Sequence, residues 1–216
     1  VCVGASLTLT GGPAAMTSYS WSGPNTFSSA TQNPTVSASA ITAMAGTYSV
    51  TVTDNQGCTG NATSTVTVNV LPVVDLGTDS SQCDGSIMLD AENVGSTYLW
   101  SNALTTQMIT VSTSASYIVT VTNAGGCSSS DTVNITINNI PIVNLGVDSS
   151  YCTSTVLNAG NSGSLYLWSN GATTQTNTAT LSGSYSVTVT NAVGCTSSDT
   201  VNVTIVNVPV VNLGVD

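Results

Sequence analysis

Six cysteines, at positions 2, 58, 83, 127, 152 and 195, are the side chains best placed to do chemistry in this chain. Their even number and regular spacing read as a disulfide framework of an oxidising compartment. Catalysis has little to work with. There is no His and no Lys, and the framework leaves no thiol free. Asp90 and Glu92 could imitate a carboxylate pair, but they occur in one copy of the repeat described below, on what reads as a solvated strand face. The chain is therefore expected not to be an enzyme.

The charge balance narrows the partners. The 216 residues hold ten acidic groups and no Lys, Arg or His, a formal net charge of −10. No cation is available to neutralise phosphate, so nucleic acid is excluded as a partner. Anionic membrane surfaces fall for the same reason. The carboxylates must be solvated, capped by backbone N–H groups or paired with bound metal. No apolar run approaches the ~18 residues of a membrane span, so no membrane insertion is expected. Any secretion signal would lie outside this window.

The elements that position the cysteines come in three copies. Cys83 to Cys152 is 69 residues; Trp100 to Trp168, Tyr117 to Tyr185 and Cys127 to Cys195 are each 68. "STYLWSNALTTQ" answers "SLYLWSNGATTQ", and "YIVTVTNAGGCSSSDTVNITI" answers "YSVTVTNAVGCTSSDTVNVTI". The first copy is a cousin, with "SYSWSG" around Trp21 and "YSVTVTDNQGC" from Tyr48 to Cys58. Its Trp-to-Tyr distance is 27 where the others have 17, an insertion of about ten residues near "GPNTFSSATQNP". The expected divisions are 1–70, 71–139 and 140–207, with 208–216 as the first strand of a following repeat.

Period-two alternation marks the strands. Tyr48, Val50 and Val52 fall on one face of "YSVTVT", as do Val133, Ile135 and Ile137 in "DTVNITI". A turn at "NAGG" joins the two into a hairpin. "PVVDLG", "SIMLDA", "STYLWSN" and the Thr-rich stretch 104–113 supply the rest, the first as an edge strand because of its Pro. About seven short strands in ~70 residues without helical periodicity predict an all-β tandem array of small immunoglobulin-like sandwiches. A core of that size is marginal alone. One disulfide per repeat would help, so the expected pairs are Cys2–Cys58, Cys83–Cys127 and Cys152–Cys195.

Taken together, "YLWSNGATTQ", "YSVTVTNAVGC" and "WSGPNTFSSATQNP…AGTYSVTVTDNQGC" resemble the tandem immunoglobulin-like/PKD-like repeats of very large secreted surface proteins of Bacteroidota, gliding-motility adhesins among them. The resemblance covers essentially the whole chain. It implies an extracellular, cell-surface, multi-repeat protein, adhesive or filament-forming and without catalysis. "WSNA", "WSNG" and "WSGP" stand where PKD repeats carry a Phe-Gly-Asp-Gly type turn. Thr132 and Thr200, in "DTV", match the short Asp-Thr/Ser-aliphatic O-glycosylation signal of that group.

Three further features could bind something. Trp21, Trp100 and Trp168 could stack on sugars, although their alternating neighbours place them in the core. Asp79, Asp148 and Asp216 recur in the phrase "PVVDLGTD" and could help hold Ca²⁺, although Ca²⁺ wants six to eight oxygens and each site offers one or two carboxylates. No other cofactor is expected. The phrase itself returns as Pro209, Val210, Val211, Asn212, Leu213, Gly214, Val215 and Asp216, while the first repeat begins without it. A sandwich missing an edge strand exposes unpaired backbone groups. An inter-unit strand that fills the gap in another copy, or that continues into a further repeat, joins units head to tail. The function expected is thus a structural segment of an extracellular filament or adhesin stalk. The other reading is an adhesive module that binds carbohydrate or depends on Ca²⁺.

Overall fold

A computed structural model describes residues 1–206, 208–209 and 211–214 of the chain. Asn207, Val210, Val215 and Asp216 lie outside the described residues, and with them part of the phrase 209–216 and the third of its aspartates.

The first sequence repeat holds β1 (Leu7–Thr8), β2 (Ser18–Ser22), β3 (Ser28–Ser29), β4 (Thr35–Ser37), β5 (Gly46–Thr53) and β6 (Thr59–Val66). The second holds β7 (Ser80–Cys83), β8 (Ile87–Asp90), β9 (Thr97–Trp100), β10 (Met108–Val111), β11 (Ala115–Thr122) and β12 (Ser128–Asn138). The third holds β13 (Ser149–Tyr151), β14 (Thr155–Asn158), β15 (Leu165–Trp168), β16 (Thr176–Ala179), β17 (Gly183–Thr190) and β18 (Thr196–Ile205). Each repeat contributes one four-stranded and one two-stranded sheet, the two layers of a small immunoglobulin-like sandwich. By contacts the chain forms two compact units. One comprises Val1–Asp79, Met88–Val111 and Ser116–Asn134; the other comprises Ser80–Ile87, Ser112–Ala115 and the chain from Ile135 onward.

The long hairpin is the backbone of each four-stranded sheet. In the third repeat β17 and β18 pair from Gly183↔Val203 to Thr190↔Thr196, and β13 adds to β18 in parallel through Ser149↔Val203 and Tyr151↔Ile205. In the second repeat β7 joins β12 the same way, ending at Asn138↔Cys83. The first repeat has no such parallel strand. A single parallel bridge, Cys2↔Asn69, stands in its place, and the ten-residue insertion supplies β3 on the opposite edge, beside β2.

Alternation buries one side of both hairpin strands in the second and third repeats, whereas in the first only β5 has buried residues and β6 is exposed at seven of its eight. Tyr48 and Val50 in the first repeat and Val187 and Val189 in the third are buried among Trp21 and Trp168 respectively. All three tryptophans are core residues, 6%, 2% and 2% exposed, and their indole N–H groups donate to the carbonyls of Thr31, Thr106 and Thr174. Tyr48 donates its hydroxyl to the carbonyl of Met44, four residues upstream, and Tyr185 does the same to Leu181. That is the tyrosine-corner arrangement of immunoglobulin-like sandwiches.

The phrase expected as a first strand is the exception. Residues 72–79 and 141–148 form no regular ladder. They alternate in burial all the same, with Val74, Leu76, Val143 and Leu145 half-buried and their neighbours exposed. Side chains, not a neighbouring strand, satisfy their backbone.

Candidate functional site

The cysteines do not close the individual repeats. Cys2 bonds Cys127 and Cys83 bonds Cys195, with Cα–Cα distances of 5.6 and 5.5 Å. The expected pairs Cys2–Cys58, Cys83–Cys127 and Cys152–Cys195 are all wrong, and Cys58 and Cys152 are free and exposed. The reason is strand direction. The leading cysteine of a repeat runs parallel to the last strand, so it sits beside that strand's far end: Cys2 at Asn69, Cys83 at Asn138, Cys152 just past the Tyr151↔Ile205 pair. The hairpin cysteine sits before the same strand's first residue. The eight residues of β6 separate Cys58 from that end by about 26 Å, and the ten of β18 separate Cys195 from it by about 33 Å. A disulfide needs Cα atoms within about 7 Å.

The far end of the last strand is where the chain passes to the next repeat, and there the next repeat's hairpin turn meets it. Asn69 donates its side-chain amide to the carbonyl of Gly125 at 3.3 Å. A Cβ at Gly125 would lie 2.6 Å from the Asn69 side chain, so only glycine permits this approach. Asn123 closes its own turn, its Oδ1 accepting from the N–H groups of Gly125 and Cys127, and its Nδ2 reaches back to the carbonyl of Val70 at 2.8 Å. Asn191 makes the same bond to Asn139 at 2.8 Å. The leading cysteines Cys2 and Cys83 are thus each joined to the hairpin cysteine of the following repeat, beside the peptide linker.

Past the linker, the phrase is gripped by the body of its own repeat. Asn93, in the left-handed region at φ 55°, donates to the carbonyl of Val73 at 2.7 Å; Asn161, at φ 52°, donates to Ile142 at the same distance. The carboxylates of Asp131 and Asp199 accept the N–H groups of Leu76 and Leu145, each at 2.7 Å. Asp79 takes the backbone N–H of Asn134 on Oδ1 and its side-chain amide on Oδ2, at 2.9 and 3.0 Å. Asp148 and Asn202 repeat the clasp at 2.8 and 2.9 Å. The amides hold the Asp79 and Asp148 carboxyls below the usual carboxylate range, the side-chain bond most and the backbone bond next. Both oxygens of Asp79 and of Asp148 are therefore engaged with an asparagine. Among the described residues no three His, Cys, Asp or Glu side chains gather as metal ligands.

The first repeat has the same hairpin without the grip. Val50 opposes Ala62 where Val187 opposes Asp199, and Thr65 stands at the register position of Asn202. Asp54 replaces the hairpin asparagine. It closes its turn on the N–H groups of Gln56 and Cys58, but a carboxylate has nothing to donate backward. On this face lies an open groove of about 180 Å³, lined by Val50, Val52, Gly60 and Ala62 with Gly12 and Pro13. In the third repeat Val143 and Leu145 pack against the corresponding core, which contains Val187 and Val189. In the phrase 209–214 the matching side chains have no such cover: Val211 is 81% exposed and Leu213 is 88% exposed.

Thr132 and Thr200 are exposed, one residue beyond the aspartates that bind Leu76 and Leu145. Sequence reasoning identified the cysteines and the phrase but missed Asn93, Asn123, Asp131 and Asn134 with their third-repeat counterparts. The signal was available: these polar residues recur at an offset of 68 while Asp54, Ala62 and Thr65 break the pattern.

No protein-family model and no curated protein matches the chain. Solved structures do. A Dpr2 Ig1-Ig2 structure in complex with DIP-Theta Ig1-Ig3 is 12% identical with a TM-score of 0.37, covering 95% of this chain and 96% of that one. The N-terminal eight Ig domains of Down Syndrome Cell Adhesion Molecule are 12% identical with a TM-score of 0.35, over 94% of this chain and 34% of that one. Sidekick-1 immunoglobulin domains 1-4 are 14% identical with a TM-score of 0.27, over 94% and 70%.

Proposed function

We propose that the chain is a non-catalytic structural segment of an extracellular filament or adhesin stalk, in which disulfide-stapled immunoglobulin-like repeats are joined end to end. One observation carries this reading. The disulfides bridge successive repeats, so each junction has two covalent connections, the peptide linker and the staple. A device of this kind resists tension along the chain. Disulfides also fit an oxidising, extracellular setting, and no helix among the described residues is long and apolar enough to cross a membrane. The partners are further repeats of the same chain or further copies of it, met through the phrase 209–216. The bare groove of the first repeat, lined by Val50, Val52, Gly60 and Ala62, supports a strand seated there. O-glycans on the exposed Thr132 and Thr200 belong to the same reading, and intact-mass analysis of natural material tests them.

Force spectroscopy on a chain tethered at both ends tests the load-bearing role. With both staples intact, the shortest covalent path runs one residue to Cys2, across to Cys127, back 44 residues to Cys83, across to Cys195 and 21 residues to the end. That is 66 steps in place of 215, or about 230 Å of full extension against about 750 Å once reduced. Equal extensions in the two states would overturn the reading.

The second reading, an adhesive binding module, has one feature in its favour. Leu99, Trp100, Ser101, Ile118 and Thr120 line a shallow groove of about 220 Å³ on the second repeat, with Leu99 58% and Ile118 43% exposed. A glycan array and a Ca²⁺ titration followed by thermal shift separate the two. Saturable binding that is lost on Leu99→Ser supports the module.

A further inference from the structure

The second and third repeats make the same turn after β9 and β15, with different chemistry in it. The carbonyls of Trp100 and Trp168 accept the N–H groups of Ala103 and Gly171, both at 2.9 Å. The N–H groups of Leu104 and Ala172 donate to the side-chain Oδ1 of Asn102 and Asn170, at 3.3 and 3.2 Å. Asn102 is followed by Ala103, whereas Asn170 is followed by Gly171 in the one Asn-Gly pair of the chain. The strand that follows differs as well. Ile109 is buried in β10; Asn177 stands at its place in β16, opposite Leu157. Among the described residues Asn177 is the only polar side chain that is buried, 9% exposed, and its Nδ2 has no hydrogen-bond partner. Its Oδ1 accepts from Asn170 Nδ2 at 3.2 Å, so its amide end faces position 170.

We propose that Asn170 is a self-modification site: its side-chain amide is hydrolysed through a cyclic imide with Gly171, and the carboxylate formed takes the Asn177 amide as its donor. Three observations carry this, independently of the end-to-end reading. Closure of the imide needs an unhindered backbone nitrogen in the next residue. Gly171 has no β-carbon, and no atom lies within 4 Å of where one would stand. Asn170 is exposed, so water reaches it, and the Ala172 N–H on its Oδ1 draws electron density from the amide carbon. The third observation is the orphan donor. Because Ala172 holds its Oδ1, Asn170 offers Asn177 only an N–H. Asn177 must answer with its oxygen, which leaves its Nδ2 buried without an acceptor, a costly state. A carboxylate at position 170 offers oxygen to both neighbours. The Asn177 amide then turns over and donates to a charged acceptor, the stronger kind of hydrogen bond. The atom left over is a carbonyl oxygen, which buried sites leave unpaired more readily than an N–H.

The reaction is redox-neutral and consumes one water. As the turn opens, Gly171 N leaves the Trp168 carbonyl, loses its proton to solvent and attacks Asn170 Cγ. The Cγ–Nδ2 bond breaks and ammonia departs with a proton from solvent. Water then adds to Cγ of the imide, and the bond from Cγ to Gly171 N breaks. Gly171 recovers its N–H and its peptide bond, position 170 keeps a carboxylate, and the released proton passes to ammonia. Addition of water at the backbone carbonyl instead would give an isoaspartyl link with one more backbone atom. The turn, closed by Gly171 N–H on the Trp168 carbonyl and by Trp168 N–H on the Ala172 carbonyl, selects against that longer link.

The test incubates the full 216-residue chain at neutral pH and follows it by peptide mapping and by NMR of the side-chain amides. Asn170 is expected to convert to an aspartyl product while Asn102 does not. The Asn170 amide signals disappear and those of Asn177 shift. Gly171→Ala, which copies Ala103 of the second repeat, keeps the turn and blocks the conversion. Retention of Cys83–Cys195, read from the same maps, establishes that each variant is folded. An Asn170 that survives in the folded chain while converting in urea, conversion that persists in Gly171→Ala, or a mainly isoaspartyl product would each overturn the proposal. A double-variant cycle tests the orphan donor. Asn170→Asp should hold or raise the urea midpoint of the parent chain and lower it in Asn177→Ile, which copies Ile109. Equal effects of Asn170→Asp in the two backgrounds would overturn the role of Asn177.

Discussion

Removing cysteines in pairs should separate structural staples from free thiols. Cys2→Ser/Cys127→Ser opens a loop whose ends are 125 residues apart in sequence. In the chain-entropy model a loop of that length is worth about 5 kcal/mol at 25 °C. Cys58→Ser/Cys152→Ser removes two exposed thiols without a partner and should change stability by less than about 0.5 kcal/mol. Pairing within the repeats would reverse part of this contrast, since the second double variant would then break two disulfides, each closing a loop of more than forty residues. Urea denaturation at low protein concentration provides the assay. The three buried tryptophans, one in each repeat, report unfolding by fluorescence. A Cys58→Ser/Cys152→Ser chain destabilised by 3 kcal/mol or more, or a Cys2→Ser/Cys127→Ser chain as stable as the parent, would refute the assigned connectivity.

The grip on the phrase gives two more outcomes. Asp131→Ala strips the Leu76 N–H of its acceptor in a half-buried setting, at a cost of about 1–3 kcal/mol, and hydrogen exchange at the Leu76 amide should accelerate while amides in β17 keep their protection. Asp79 and Asp148 have folded-state pKa values lowered by their asparagines, so their stabilising effect is complete above the ordinary carboxylate pKa and is lost as pH falls through the lowered value. Asn134→Ala and Asn202→Ala should return the respective carboxyls toward the usual range in an NMR titration and flatten that acid-side loss. Trp168→Ala should cost about 3–5 kcal/mol and leave any glycan-array signal unchanged, because its ring is 2% exposed.

The fold was legible because alternation is strong and local. "YSVTVT" and "DTVNITI" announce their strands, and the repeat offset tells that whatever one copy does its neighbour does too. The phrase "PVVDLG" alternates as well, which is why it reads as a strand. Its backbone is satisfied instead by Asn93 and Asp131, which lie 20 and 55 residues away from their partners Val73 and Leu76. The disulfide pairing failed for a related reason. Within one repeat, a leading and a hairpin cysteine look like natural partners. Whether they meet depends on whether the edge segment runs parallel or antiparallel to the last strand, and period-two patterning is identical in both cases. Parallel pairing sends the two cysteines of a repeat to opposite ends of the same strand.

That same geometry makes the pairing between repeats necessary. Once β7 and β13 run parallel to β12 and β18, every repeat carries one thiol at the end where its chain leaves and one at the end where the preceding chain arrives. At the two junctions among the described residues a leading and a hairpin cysteine meet, Cys2 with Cys127 and Cys83 with Cys195. Gly125 admits Asn69 to the turn, Asn123 ties the turn to the linker at Val70, and the staple closes the joint beside them. A repeat alone therefore lacks a disulfide and must rely on a core of the marginal size set by ~70 residues. The disulfides that support it run to its neighbours. The first repeat departs from this pattern. It has its insertion on the edge away from the last strand, where β3 pairs with β2, and an open groove on its hairpin face.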